Sequence, residues 1–502
     1  MLRITDRYSR RHVLRGAAFL AAGGLLAACG ATQGPPTAPT ATPAPAPAKP
    51  TEAPKPVAAE PTKPAAAAPA AAPTSAPAAA APTSAPAAAA PAAPGQTVKL
   101  TKMAWGSALE KQNIEDGLRT FEKQTPGVTV EYIHVPQDYD AKLQTMLAGG
   151  TAPDVFKTTS GNYPDYVKKG ALMDITDRLK ADPVIGKPDY FIQPFETDRS
   201  VIQGRWYGIG STAQIHMLYF RPDLLQAAGV EPPTTDPAKA WTWQQFQDAG
   251  RKLTKSEGGK VSQWGLYWPT GQANTIVLSN GAEWIGKQSR RYELDKPDAV
   301  AAIQAVADLA VKDKLSPLAA DLQSLGMNPW QMLASGKVAI IGDGNWALLD
   351  IAKMGFKFGV AVPPMMKKPA TWMGSSSTGV YKNTKYPDQA WLLFRFLNTD
   401  DYMLPLVRVG LWHPSHTTLL TPEGIKKWLN PEVHPPGYEK LVTEFMAKDG
   451  IYIPDVLGNL KASAQVTQAL DPVWIGKKTA QEALADVVPK ANKILDDEEK
   501  AP

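Results

Sequence analysis

The residues best suited to bind a small molecule in this sequence are tryptophans that follow predicted strands. The chain has 14 tryptophans and 15 tyrosines among 502 residues. In open α/β sheets, ligands bind outside the carboxyl ends of the strands. A flat aromatic face beside Asp, Asn, Gln or Ser suits a sugar, because a sugar ring has an apolar C–H face and hydroxyl groups that need directional hydrogen bonds. The pattern therefore favours a carbohydrate ligand, and core packing is the alternative role of each ring. The tryptophans in question are Trp105, Trp264, Trp268, Trp346, Trp372 and Trp412. Those on predicted helices are assigned to packing: Trp241, Trp391, Trp428 and Trp474.

Several segments resemble catalytic or metal-binding motifs but depart from each of them. In "GSSSTG" (374–379), the fifth position of the G-x-S-x-G pattern is Thr378. The segment that begins at Asp343 has Met354 where a calcium loop needs a glutamate. His413 and His416 are spaced to share a metal, but no thiol or carboxylate is next to them, which favours a loop pair. The sequence therefore predicts no enzyme, no metal site and no cofactor.

The amino terminus has the layout of a secretory signal peptide. Five arginines precede an apolar stretch from Gly16 to Ala28, which is shorter than the ~20 residues of a membrane-spanning helix. Cys29, the only cysteine, follows Leu-Ala-Ala and resembles the lipidated cysteine of a bacterial lipobox. The residues around Arg10 and Arg11 also resemble a twin-arginine export motif. We expect residues 1–29 to be a signal peptide and Cys29 to carry a lipid that anchors the protein to the membrane, at the cell surface or in the periplasm; a buried structural cysteine is the alternative.

Residues 30–96 consist almost entirely of Ala, Pro, Thr and Ser. Such a segment has too little apolar surface to fold, so it predicts a disordered tether. The formal net charge of +5 falls to about +1 without the signal peptide, which contributes five arginines and one aspartate. A balanced mature chain gives no electrostatic reason to expect a nucleic-acid partner.

The remaining residues alternate between strand and helix patterns, which predicts an α/β fold. Strands are predicted at 98–105, 128–135 and 154–161, with a helix after Ser107 and another that stops at Gly149. This βαβαβ order favours a parallel sheet with helices on its faces. Further strands are predicted at 337–344, 357–362 and 377–381, and further helices after Thr242, at 295–314 and at 386–398. The end of the chain is predicted to be helical, with a kink or break at Pro489.

Several stretches in this order resemble the extracellular solute-binding proteins of ABC importers, family 1, the group that includes maltose-binding protein. They are "FEKQTPGVTVEYIHV", "YDAKLQTMLAGGTAPDVF", "GRWYGIGSTAQIHMLYFRPDLL", "MLASGKVAIIGDGNWAL" and "STGVYKNTKYPDQAWLLFRFL". The resemblance covers nearly all of residues 97–495. It implies a two-lobe periplasmic-binding-protein fold (type II-like), in which discontinuous lobes are joined by hinge strands. The implied first lobe is 97–213 plus 371–408, and the second is 214–370 plus 409–502.

The resemblance also implies where a ligand binds and which partners the protein has. The expected partners are a carbohydrate ligand and an ABC permease, and a monomer is expected. The loop after the third strand, "TTSGN", lacks the acidic or aromatic residue found in several relatives. The resemblance and the tryptophan pattern together imply a set of residues that line the cleft. They are Trp105, Ser107, Ser160, Asn162, Gln214, Trp268, Asp343, Trp346, Trp372, Gly374, Ser375, Ser376 and Trp412.

Two other functions stay open at this point. The same fold could bind a glycerophosphodiester, polyol, polyamine or peptide, and an anionic ligand would need Lys102, Lys157 or Arg205 in the cleft. A carbohydrate-active enzyme would need two carboxylates across the scissile bond, for which Asp154, Glu283 and Asp343 are available.

Overall fold

The computed structural model describes residues 97–192, 201–210 and 212–501. The predicted signal peptide, Cys29 and the linker lie outside the described residues. None of the helices in the described part has the length and apolar character needed to span a bilayer.

The described residues form two sheets and a short two-stranded ribbon. The strands are β1 (Val98–Ala104), β2 (Val128–His134), β3 (Val155–Thr159), β4 (Val201–Ile202), β5 (Arg205–Trp206), β6 (Ile209–Gly210), β7 (Thr212–Phe220), β8 (Lys255–Glu257), β9 (Lys260–Tyr267), β10 (Val338–Gly344), β11 (Gly359–Ala361), β12 (Thr371–Gly374), β13 (Ser376–Val380), β14 (His413–Pro414) and β15 (Gly450–Tyr452).

Helices cover the faces of both sheets. They are α1 (Ala108–Gln124), α2 (Tyr139–Ala148), α3 (Tyr163–Lys168), α4 (Thr176–Ala181), α5 (Pro222–Ala227), α6 (Trp243–Leu253), α7 (Ala273–Ser279), α8 (Pro297–Val311), α9 (Ala319–Leu325), α10 (Pro329–Ala334), α11 (Leu348–Ala352), α12 (Pro387–Phe396), α13 (Asp400–Arg408), α14 (Pro422–Trp428), α15 (Tyr438–Lys440), α16 (Met446–Asp449), α17 (Asn459–Trp474) and α18 (Ala480–Lys500). A π-helical stretch, Leu441–Phe445, joins α15 to α16.

The first sheet has the strand order β2-β1-β3-β13-β6. β1 is parallel to both β2 and β3, which confirms the predicted βαβαβ unit. β13 is antiparallel to β3 and comes from a distant part of the chain. We call this sheet and the helices packed on it the first lobe.

The second sheet has the order β15-β12-β7-β10-β9-β8, and β11 and β14 also pair with β7. Every residue of β7 is buried, so this strand is the centre of the second lobe. Helices α17 and α18 pack in the same core as β7 and β10.

Within the described residues, three passages of the chain join the lobes. The chain leaves the first sheet after Gly210 and enters the second at Thr212; it leaves the second sheet after Gly374 and returns to the first at Ser376. After α12 and α13 it crosses back to β14, which pairs with β7 of the second sheet. These passages are the hinge strands of a discontinuous two-lobe α/β fold. The predicted lobe boundaries remain a prediction.

Local signals explain where several helices begin. Ser107 Oγ accepts a hydrogen bond from the backbone N–H of Glu110 and so caps α1, whose Ile114, Leu118 and Phe121 are buried as predicted. Thr242 and Gln245 form the predicted capping box of α6. α18 continues through Pro489, so the expected break does not occur.

Candidate ligand-binding cleft

A cavity of about 290 Å³ lies between the two lobes, at the carboxyl ends of β1 and β3. Its walls come from both sheets and from the second passage between them. Apolar surface predominates, with hydroxyl, amide and charged side chains among the rings. Eight of the predicted site residues line it: Trp105, Ser107, Gln214, Trp346, Trp372, Ser375, Ser376 and Trp412.

Glycines on the second sheet determine how two of the tryptophan rings lie. A Cβ on Gly344 would be 2.2 Å from the ring of Trp346, and a Cβ on Gly374 would be 1.9 Å from the ring of Trp372. Each ring therefore lies flat against backbone that carries no side chain. Gly374, which the sequence placed among the binding residues, supports a ring in this way.

A buried histidine supports the same two rings from below. His216, on β7, is stacked on Trp372 with ring centroids 4.9 Å apart and meets Trp346 edge-on at 5.8 Å. Its Nδ1 is 2.8 Å from Thr275 Oγ1. Burial lowers the pKa of His216 to about 3, so the ring is neutral at pH 7. His216 therefore adds no charge beside the two tryptophans.

On the first lobe, an ammonium group lies between two tryptophan rings. Lys157 Nζ is 4.5 Å from the ring centroid of Trp105 and 4.7 Å from that of Trp412. Both are cation–π distances. Glu110 Oε1 is 3.7 Å from the same nitrogen, and both charged side chains are less than a tenth exposed. Burial lowers the pKa of Lys157 and raises that of Glu110, while each charge partly offsets the shift of the other.

Ser107 and Asp350 both line the cavity, Ser107 from the start of α1, which it caps, and Asp350 from α11. Burial raises the pKa of Asp350, and the Ser107 hydroxyl opposes the rise.

Other predicted site residues lie away from the cavity walls. Trp268 is buried in the core of the second lobe, where its Nε1 donates to the carbonyl of Gln272 at 3.1 Å. Asp343 is buried, and its Oδ1 accepts hydrogen bonds from Gln272 Nε2 at 3.1 Å and from the N–H of Gly344 at 2.7 Å. Burial raises the pKa of Asp343 to about 7.

Two predicted residues belong to the loop after β3. Asn162 donates to Asp140 Oδ2 at 3.1 Å and does not line the cavity. The side chain of Ser160 lies outside the described part of the chain.

Sequence reasoning missed several residues of the cavity wall. Trp330 lines the cavity from α10, so its position carried no strand-end signal. Glu110 and Asp350 were missed as wall residues, because nothing local marks a charged side chain as buried; Lys157 was considered only as a contact for an anionic ligand. The position of Glu110, three residues after the helix cap Ser107, was the one available signal.

The two histidines considered for a metal are engaged with other groups. His413 is buried edge-on against Tyr438, and His416 Nδ1 is 2.5 Å from Asp400. Within the described residues, no group of three or more His, Cys, Asp or Glu side chains is arranged to hold a metal ion.

Comparisons with known proteins agree with the geometry. YcjN of Escherichia coli (strain K12) is 27% identical over 197 residues, which are 38% of this chain and 43% of YcjN, so this match spans less than half of YcjN. The lactose-binding protein of Rhizobium radiobacter is 22% identical over 306 residues, 58% of this chain and 68% of that protein.

A similar fold is found in the ABC substrate-binding protein Lmo0181 of Listeria monocytogenes, solved in complex with cycloalternan. The TM-score is 0.71 at 24% sequence identity, over 79% of this chain and 99% of that one. The family described as bacterial extracellular solute-binding protein matches residues 101–404, which is more than half of the chain. The chain therefore belongs to the bacterial extracellular solute-binding protein family.

Proposed function

We propose that this protein is the surface-anchored binding protein of an ABC importer and that it captures a sugar or oligosaccharide between its lobes. The observation that carries the proposal is the ring of tryptophans around the cavity: Trp105, Trp330, Trp346, Trp372 and Trp412. A cavity of about 290 Å³ lies at the small end of ligand pockets, which span roughly 300–1,000 Å³. A ligand with apolar faces and a hydroxylated edge fits such walls.

The polar groups of the wall suit hydroxyl groups. Gln214 and Ser376 present an amide and a hydroxyl, each of which can donate and accept hydrogen bonds. Among the similar proteins, the Listeria structure is a complex with cycloalternan and the Rhizobium relative is a lactose-binding protein. Both names support a carbohydrate as the ligand class here.

The capture mechanism follows from the walls belonging to two lobes. A ligand that touches both lobes only when they are closed shifts the open–closed equilibrium by its differential contact energy. The closed shape is then the form that a permease recognises. No covalent step is required of the protein, and we propose that it is not an enzyme and acts as a monomer.

The charged groups disfavour an anionic ligand. Lys157 is held by two tryptophans and Glu110, and Arg205 pairs with Asp174. Lys102 is buried and does not line the cavity, and burial lowers its pKa to about 7. Glycerophosphodiesters and other anions are therefore weaker candidates than sugars.

A hydrolase is disfavoured because none of the three carboxylates named for it, Asp154, Glu283 and Asp343, lines the cavity. Asp154 Oδ2 accepts from the N–H and the hydroxyl of Thr101, both at 2.8 Å, and so braces β1 against β3. Asp343 is buried rather than on the cavity wall.

The test is thermal unfolding of the purified protein with mono-, di- and oligosaccharides, and with polyols, phosphodiesters and peptides in parallel. A ligand at 100 times its dissociation constant stabilises the folded state by about 2.7 kcal/mol, which raises the melting temperature. We expect a rise with one class of sugar. A rise confined to a non-sugar class would overturn the carbohydrate assignment.

Surface anchoring rests on Cys29 and has its own test. Replacement of Cys29 by alanine removes the sulfur that would carry the lipid, so the protein should move from the membrane fraction to the soluble fraction. Membrane association of Cys29→Ala equal to that of the unmodified chain would contradict lipidation at this residue.

A further inference from the structure

A carboxylate of the first lobe is bound by the start of a helix in the second lobe. Asp165 lies on α3, between Tyr163 and Tyr166, which are buried in the first lobe. Its Oδ1 accepts the backbone N–H of Gly458 at 2.6 Å, and its Oδ2 accepts that of Leu460 at 2.9 Å. These amides open α17, which packs in the core of the second lobe.

The contact satisfies groups that the helix cannot satisfy itself. The first amides of a helix have no partner within it, and α17 has no side-chain cap of its own at Gly458. A carboxylate there accepts two charge-assisted hydrogen bonds and interacts favourably with the helix dipole. Asp165 is only 6% exposed, and a buried carboxylate is tolerated only when it is hydrogen-bonded in this way.

Residues next to Asp165 and next to the start of α17 add to the contact between the lobes. A Cβ on Gly161 would lie 2.6 Å from Asn459 Nδ2, so a side chain there would displace the Asn459 amide at the start of α17. Lys168 Nζ donates to the carbonyls of Glu498 at 2.7 Å and Ala501 at 3.0 Å. Leu460 packs against the core of the first lobe. The contact therefore combines charge, hydrogen bonds and apolar packing.

The contact is on the cleft side of the molecule. Gly161 and α3 follow the carboxyl end of β3, and the last residue of that strand, Thr159, lines the tryptophan cavity. Opening of the cleft would draw α3 away from α17 and break both hydrogen bonds.

We propose that Asp165 clasps the two lobes together and holds part of the population closed before any ligand enters. The effect of this contact on ligand capture rests on the proposed function. When only the closed form binds ligand tightly, the apparent dissociation constant varies inversely with the closed fraction. The clasp then raises affinity without touching the ligand.

The experiment measures lobe separation without any sugar. Nitroxide labels on Lys142→Cys in α2 and Asp471→Cys in α17, both exposed positions, report the distance between the lobes by pulsed electron spin resonance. The full chain is used with Cys29→Ser, because Cys29 is the only native cysteine. We expect a short-distance population in the labelled parent. Asp165→Ala should lower the closed-to-open ratio about tenfold, as expected for loss of hydrogen bonds to a charged group.

Two further variants make the result specific. Asp165→Asn keeps the size of the side chain and one acceptor oxygen, so its closed-to-open ratio should lie between those of the parent and Asp165→Ala. It also replaces Asp165→Ala in the comparison if that variant does not fold. Asp248→Ala removes an exposed carboxylate on α6 and should match the parent. Identical distance distributions for the parent and both Asp165 variants, or a parent that is entirely open, would overturn the clasp. Because no sugar is present, failure to find a sugar ligand leaves this result standing.

Discussion

At the scale of single residues, the cleft depends on two glycines as much as on the tryptophan rings. Gly344 and Gly374 leave room for Trp346 and Trp372 to lie against the backbone. His216 then fills the space beneath both rings as a neutral aromatic surface. A ring held on two sides has little freedom left to lose, so a ligand that stacks on it pays a small entropic cost.

Substitution of Gly374 by alanine tests this support. The added methyl group would lie 1.9 Å from the ring of Trp372, so the ring must leave its place. Loss of one stacking partner corresponds to up to about 1.4 kcal/mol, or about a tenfold weaker affinity for the sugar identified by the unfolding screen. Calorimetric titration measures the change.

The matched control is Gly271→Ala, because a Cβ at that position meets nothing within 4 Å. This variant should bind as tightly as the unmodified protein. Equal affinities for Gly374→Ala and Gly271→Ala would show that the position of the Trp372 ring does not matter for binding.

At the scale of helices and strands, the sequence predicts most of what is local. Ser107 caps α1 and the Thr242 box caps α6 because the partners lie three residues away. The βαβαβ order at the amino end also predicts the parallel pairing of β1 with β2 and β3. Such features depend on short spacings that a sequence displays directly.

Contacts between distant elements were not predictable in the same way. Trp268 and Trp372 both follow strand patterns with polar neighbours, yet Trp268 turns into the core because Gly342 on the adjacent strand leaves space for its ring. Asn162 turns to Asp140 on α2. The choice in each case is made by a residue far away in sequence.

The capping box of α6 gives a prediction at this scale. Thr242→Ala removes the oxygen that accepts the N–H of Gln245 and should cost about 1 kcal/mol of stability. Thermal unfolding should show a lower melting temperature. Thr242→Ser keeps the hydroxyl and should be close to the unmodified chain; a serine variant as unstable as the alanine variant would show that the methyl group, not the cap, is responsible.

At the scale of the whole molecule, closure of the two lobes depends on contacts outside the cavity as well as on the ligand. The contact of Asp165 with the start of α17 joins the lobes without a ligand. The tryptophan cavity lies on the same side of the molecule and adds its contacts only when it is filled. The affinity for a ligand is therefore set partly by protein–protein contacts outside the cavity.

The pH dependence of stability is also a property of the whole molecule. Burial lowers the pKa of His216 and His413 to about 3 and that of His434 to about 4. The unfolded chain binds these protons near pH 6.5, so each histidine makes folding less favourable as the pH falls from about 6.5. Asp343 has the opposite effect, because its raised pKa of about 7 makes the folded state the better proton acceptor between about pH 4 and 7. The three histidines thus lower stability in mild acid, and the buried carboxyls whose pKa is raised, Asp343, Glu110, Asp165 and Asp350, offset part of that loss.

His413→Leu isolates one of these contributions. His413 is fully buried on β14 against Tyr438, and leucine cannot take up a proton in the unfolded chain. The loss of stability between pH 7 and pH 5 should shrink by about 2 kcal/mol, which is about 1.4 kcal/mol for each of the 1.5 pH units below 6.5. Melting temperatures at the two pH values give the comparison. Phe445→Leu, a buried change that does not titrate, should lower stability equally at both, whereas an unchanged acid response in His413→Leu would mean that His413 is not kept neutral by the fold.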